Sequence, residues 1–200
     1  MALFRLNSLY DTEILELLDI IVHEERTAKC LQELGEYDQY TYWHSVRVAV
    51  LCMRFGFIRK LDKGTLLRLG AAAILHDYGK RHIPLEILNK PSRLTEDEYE
   101  CMKLHVLYGV LDLQKLQYPA DILRAVSEHH EGFQKGYPFK LNKEEVSLMG
   151  RILRLADFYD ALFTERVYKE GLTHDQAIEI IAKEEDIDAN LLRLLKAMDA

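Results

Sequence analysis

The chain has 200 residues, 48% hydrophobic and 30% charged, with a net charge of −7 at pH 7. These figures describe one globular domain with enough apolar residues to build a core, and the acidic balance gives no global reason for binding a nucleic-acid polymer. Cys30, Cys52 and Cys101 are dispersed, form no CxxC pair, and read as reduced, buried thiols. No apolar run nears the roughly 20 residues needed to span a bilayer, and "MALFRLNSLYDTEILELLDII" is too acidic and periodic for a signal peptide. The expectation is a cytoplasmic protein without a membrane partner.

In chain order, apolar residues recur at helical spacing over 9–34 (Ile14, Leu17, Leu18, Ile21, Val22), and Gly35 is expected to end that helix. Further helices are predicted over 41–58 and 64–76. Thr95 with Glu98 forms a capping box that opens a helix running through His105. More follow over 120–130, 145–165, 173–184 (Thr173 with Gln176, a second box) and 188–198, with irregular stretches at 79–94 and 131–143. No segment alternates with period 2. The fold class is all-α, a single-domain bundle of eight or nine helices. Residues 1–36 form an N-terminal part that packs on its own domain or on a second subunit, and 37–200 form the main domain.

The chemistry concentrates in the histidines. His23 and His174 lie among charged neighbours and read as surface residues. His44, His76, His105, His129 and His130 come from different helices and stand near helix ends or beside apolar residues, as do Asp77 in "AAAILHD" and Asp157 in "RILRLAD". Taken singly, each has an ordinary structural explanation, such as Asp157 pairing with Arg154 one turn back. Taken together, so many imidazoles and carboxylates in apolar settings need a common partner, because unpaired buried polar groups are costly. A divalent metal is such a partner, and seven ligands suit two ions better than one.

The order His44, His76-Asp77, His105, His129-His130, Asp157 resembles the HD-GYP branch of the HD-domain metal phosphohydrolases. The likeness is carried by "YTYWHSVRVA", "LHDYGKRHIPLEILNKPSRLTEDEYECMKLHVLYG", "HHEGFQKGYP" and "RILRLADFYDALFTERVYKEGLTHDQA", about two-thirds of the chain in the family's order. The resemblance implies an HD-domain helical bundle with extra C-terminal helices. It implies hydrolysis of the bacterial second messenger cyclic di-GMP to pGpG and in some members GMP. It assigns His44, His76, Asp77 and Asp157 to one metal and His105, His129 and His130 to a second, with Asp77 bridging and catalysis centred on Asp77 and Lys80. The two ions would be Fe or Mn, with Zn also admitted by the donor set, and a hydroxide bridging them would attack phosphorus. Lys80, Arg166 and Lys169 match phosphate-contacting positions. Tyr137 stands where a ring lines the guanine pocket, and Asp160, one turn beyond Asp157, is expected to face the same pocket. Partners beyond the cyclic dinucleotide are a second copy of the chain or a signalling protein.

Four departures bear on these expectations. The loop "HHEGFQKGYP" is one residue shorter than the family's HHExxDGxGYP and lacks its Asp-Gly, which bears on substrate choice. Tyr40 replaces an acidic ligand that some members use for a third metal, which favours two. His82 and Leu85 stand where Gly and Asp are common, with His82 read as a surface residue. Val106, Val167 and Lys169 replace the usual Pro, Pro and Arg. Another nucleotide substrate, or a non-catalytic signalling module, are the alternatives; degenerate members of the family usually lose ligands, and here all seven are present.

Overall fold

The computed structural model describes residues 10–132, 136–164 and 171–198. Among them the chain forms ten α-helices and one 3-10 turn, with no strand. In order they are α1 Asp11–Val22, α2 Glu25–Tyr37, α3 Gln39–Ile58, α4 Lys63–Leu75, the turn Tyr78–His82, α5 Leu85–Leu88, α6 Glu96–Lys115, α7 Ala120–Glu128, α8 Leu148–Phe163, α9 His174–Ile181 and α10 Ala189–Lys196. No helix among the described residues is long and apolar enough to cross a membrane.

Local chemistry sets most of these boundaries. Both predicted capping boxes are present, each with reciprocal side-chain and backbone bonds, at Thr95/Glu98 and Thr173/Gln176. Asp38, Asp62, Ser147 and Asp188 cap α3, α4, α8 and α10. The N-terminal segment differs from expectation. It is two helices, because the Glu24 carboxylate accepts the Thr27 amide proton and starts α2 afresh, while Gly35 lies inside α2. The stretch 79–94 is less irregular than expected, holding the 3-10 turn and α5.

The centre of the bundle is α3, which packs against α4 on one side and α8 on another. Its apolar residues Val48, Leu51, Cys52 and Phe55 are buried with Leu69, Ala72 and Ile74 of α4 and Ile152, Leu155 and Ala156 of α8. Helices α1 and α2 cover α4 and α3, contributing Ile14, Leu17, Cys30 and Leu31 to the same core. Cys30 and Cys52 are buried free thiols, as expected, whereas Cys101 is half-buried. Helix α6 crosses the 3-10 turn at very close range and then meets α7. The result is a frame in which the ends of α4 and α7, the middle of α6 and one face each of α3 and α8 converge.

Candidate metal centre

That convergence brings together all seven candidate ligands. His44 comes from α3, His76 and Asp77 follow the last residue of α4, His105 lies within α6, His129 and His130 follow α7, and Asp157 lies on α8. Six of them form two groups in which the candidate ligand atoms lie within 4.8 Å of one another: His44, His76 and Asp77, and His105, His129 and His130. Asp77 stands between them. Its Oδ2 is 3.3 Å from His76 Nε2 and 3.5 Å from His44 Nε2, and its Oδ1 is 3.4 Å from His105 Nε2. Asp157 Oδ1 is 3.0 Å from His44 Nε2 and 3.9 Å from His76 Nε2, while Oδ2 lies 4.0 Å from His130 Nδ1.

The backbone decides which ring nitrogens face the centre. His76, His105 and His129 each place Nδ1 at 2.6–2.7 Å from a carbonyl three residues back, at Ala73, Met102 and Val126. A carbonyl oxygen only accepts, so Nδ1 carries the proton and Nε2 presents a lone pair. For His76 and His129 the acceptor is one of the last four carbonyls of a helix, which lack an intrahelical amide partner. Ending α4 and α7 just before the histidines thus fixes the tautomer of both.

These lone pairs then meet. His105 Nε2 and His129 Nε2 are 3.3 Å apart, and burial lowers His105 to about 4 and His130 to about 3, with His129 also well below its usual value. Near neutral pH all three rings are uncharged, so acceptors point at acceptors. His76 Nε2 and Asp77 Oδ1 are buried and accept no hydrogen bond. Burial opposes ionisation of Asp77, but the neighbouring His76 and the Lys80 ammonium outweigh it and hold the carboxyl well below its usual range. Orphaned lone pairs converging on an ionised carboxylate need a cation, and imidazole with carboxylate suits a divalent transition metal. The residues present therefore fit a metal centre.

Behind the candidate ligands lies a supporting layer that the spacing did not reveal. Asp160, expected in the substrate pocket, is 0% exposed and sits behind His44 instead. Its Oδ2 lies 2.7 Å from His44 Nδ1, Arg47 donates to both of its oxygens, and Thr164 Oγ1 donates to Oδ1. With every oxygen occupied it has nothing to offer a substrate; it orients His44. Burial works against charge on His44, but hydrogen bonds to Asp157 and Asp160 raise it to about 9, so its Nε2 proton must leave for the ring to hold a metal. Arg154, the alternative partner for Asp157, pairs with Asp186. The buried Glu131 accepts the amide protons of Phe139 and Leu141 and so braces the segment that carries Tyr137. Glu128 accepts from the amide and hydroxyl of Ser147, tying the end of α7 to the start of α8. Carboxylates behind metal-binding histidines tune affinity. Asp160→Asn is expected to weaken metal binding by about 10–100-fold with the helical circular dichroism retained, as read by competition with a chromophoric chelator; an unchanged affinity would remove Asp160 from this role.

A cleft of about 470 Å³ opens above the centre, lined by Lys80, His105, His130 and Tyr137 on the metal side. Lys80 Nζ donates to Asp77 Oδ2 at 2.6 Å, and the Tyr137 ring stacks on His130 at 4.8 Å. Arg166 and Lys169 lie outside the described residues. His23 is a surface residue paired with Asp19, and His82, also exposed, bonds Asp112, both as expected. His174 is not a plain surface residue, since it is half-buried and bonds the Tyr159 hydroxyl.

The family model described as HD domain matches residues 23–191. The chain belongs to the HD domain family. Its HD-GYP resemblance falls within that family, and the all-α bundle agrees with it. The chain is 36% identical over 155 residues to cyclic di-GMP phosphodiesterase PA4108 of Pseudomonas aeruginosa, covering 76% of this chain and 37% of that protein. It is 37% identical over 143 residues to 3'3'-cGAMP-specific phosphodiesterase 3 of Vibrio cholerae, covering 71% of this chain and 31% of that protein. The chain thus spans about a third of the length of these curated relatives. Among solved structures, Bd1817, an HDG"Y"P protein from Bdellovibrio bacteriovorus, shares the fold with a TM-score of 0.67 at 18% identity, over 94% of this chain and 62% of that one.

Proposed function

We propose that the protein is a metal-dependent phosphodiesterase that hydrolyses cyclic di-GMP to pGpG. The observation that carries this reading is one buried carboxylate, Asp77, whose two oxygens face two separate histidine clusters at the floor of a nucleotide-sized cleft. His44, His76, Asp77 and Asp157 would hold one divalent ion and His105, His129 and His130 the other, with Asp77 shared and Fe or Mn as the ions. When bound, such a pair brings the pKa of water toward neutrality and polarises the phosphoryl oxygens.

The chain supplies the remainder. Asp77 stays ionised because its neighbours favour the carboxylate. Lys80, partly exposed in the cleft, is placed to grip a phosphate oxygen. Tyr137 presents an aromatic face for a base, as its stacking on His130 already illustrates. Arg166 and Lys169 are proposed to add further phosphate contacts. Hydrolysis then adds water across one P–O3′ bond. Residues 37–200 are proposed as the catalytic unit, with 1–36 as its support. A second substrate reading, 3'3'-cGAMP, is favoured by the relative of that name.

The test is chromatography of products from Mn- or Fe-loaded protein incubated with cyclic di-GMP, beside Lys80→Ala. The loaded protein should release pGpG. Lys80→Ala should lose about 10²-fold in kcat/KM, the usual cost of removing one charge-stabilising donor, while metal analysis still finds two ions. An intact messenger in the loaded native protein would reject the substrate. Loss of metal in Lys80→Ala would make that residue structural.

A further inference from the structure

The part of the cleft away from the histidines has no role in the chemistry above. It is formed by Asp38, Tyr40 and Thr41 at the start of α3 and by Asn89, Lys90, Ser92 and Arg93 after α5. Asp38 precedes His44 by six residues on α3, about 9 Å along the axis at 1.5 Å per residue. That is roughly the reach from a nucleotide's phosphate to the outer edge of its base. Resting on the cyclic-dinucleotide reading, we propose that this wall selects guanine, with Asp38 accepting the N1–H of the Watson–Crick edge and Arg93 donating to O6 and N7.

Both side chains have the capacity. Asp38 Oδ2 is taken by the amide and hydroxyl of Thr41, but Oδ1 accepts only the Asn89 amide, at 3.2 Å. A carboxylate oxygen accepts two hydrogen bonds, so one place remains. Lys90 is held by both oxygens of Glu98, whereas Arg93 is exposed and has no ion pair or hydrogen bond among the described residues. Arg93 is thus the cation this wall can lend to a ligand.

The donor and acceptor pattern then names the base. Guanine presents two adjacent donors, N1–H and the 2-amino group, where adenine presents an acceptor, N1, beside its 6-amino donor. On the other edge guanine offers two acceptors, O6 and N7, which match the guanidinium fork, whereas adenine places its 6-amino group against it. The guanidinium therefore attracts guanine and repels adenine at one edge, and at the other the carboxylate meets N1–H in guanine where adenine sets a lone pair, so selectivity arises from mismatch as well as match. Cyclic di-GMP carries two guanines, so the two groups can act without touching one ring. Tyr40 and Tyr137 provide aromatic surface for stacking in the same cleft.

The experiment compares kcat/KM for cyclic di-GMP and cyclic di-AMP in the metal-loaded native protein, Arg93→Ala and Asp38→Asn. Asparagine is itself a good N-cap, so Asp38→Asn keeps α3 capped. The native protein should prefer cyclic di-GMP, and each variant should lose about 10-fold or more of that preference, mostly through KM. Equal losses on both substrates would mark a phosphate contact and overturn the proposal, as would unchanged selectivity. If the native protein cleaves neither dinucleotide, the substrate reading has failed separately, and calorimetric binding of GMP against AMP decides. A GMP preference lost in Arg93→Ala supports the guanine wall; equal affinities overturn it.

Discussion

Asp77→Ala is expected to abolish both turnover and the metal-dependent rise in melting temperature. A ligand that binds only the folded state at 1,000 times its Kd stabilises by about 4 kcal/mol, which for a domain of this size is a rise of about 10 °C. The native protein should show a rise of that order when Mn is added after chelation. In the variant both histidine clusters lose the carboxylate they share: Oδ2 faces His44 and His76, and Oδ1 faces His105. The remaining nitrogens of the second cluster are neutral, with His105 lowered to about 4 by burial, so they offer lone pairs and no charge to balance a dication. The loss should therefore extend to both ions, and turnover should fall by about 10³-fold or more, the several kcal/mol that such ions contribute. Differential scanning fluorimetry with and without Mn, followed by metal analysis, reads the outcome. Retention of one full equivalent of metal with half the thermal shift would show that the clusters bind independently and that Asp77 serves only one of them.

How much of this was legible beforehand differs between the ligands and their surroundings. The two capping boxes and the helical periodicity marked most helices, because capping chemistry is local and stands in contiguous residues. The seven candidate ligands were legible as a set, from polar residues in apolar contexts that need a partner together with the order of the HD-GYP resemblance. The break between α1 and α2 was not, because the apolar spacing runs on from Ile21 toward Leu31 and a glutamate is a weaker helix-start signal than Ser, Thr, Asp or Asn. Asp160 was misplaced by a similar shortfall. Three residues at 100° each fall about 60° short of a full turn, enough to turn it from the cleft toward α3. Arg47, Glu128 and Glu131 gave no signal, because their partners lie 113, 19 and 8 to 10 residues away, and helical spacing describes faces without saying what packs against them.

Gly79→Ala should be among the most damaging single-atom changes in the chain, although Gly79 is not itself a ligand. It sits in the 3-10 turn two residues after Asp77, where α6 crosses. A Cβ there would stand 1.9 Å from the His105 carbonyl oxygen and 2.5 Å from the Gly109 amide nitrogen. Both are backbone atoms of a helix, so relief requires moving α6 as a body rather than rotating a side chain. Its φ is not in the left-handed region, so the requirement is space alone. Overpacking a core costs about 1–3 kcal/mol, and a backbone clash of this depth belongs at the upper end, about 3 kcal/mol, or a fall of about 6–12 °C in melting temperature. The same movement carries His105 away from Asp77 Oδ1 and from His129. Ligand placement tolerates only about 0.5 Å, so metal affinity should drop even where the variant remains folded. Gly109→Ala provides the comparison from the other side of the crossing. Its Cβ would come no closer than 3.2 Å to Gly79, and about 1 kcal/mol is expected. Thermal melts of the two variants, each with and without Mn, test the ordering. Equal melting temperatures, or a Gly79→Ala protein that binds Mn as the native chain does, would mean that α6 is not held against the turn at this distance. The small, apolar run before the His-Asp pair and the glycine after it then have one explanation: α4 must end inside the bundle, and α6 must reach the same point without a side chain between them.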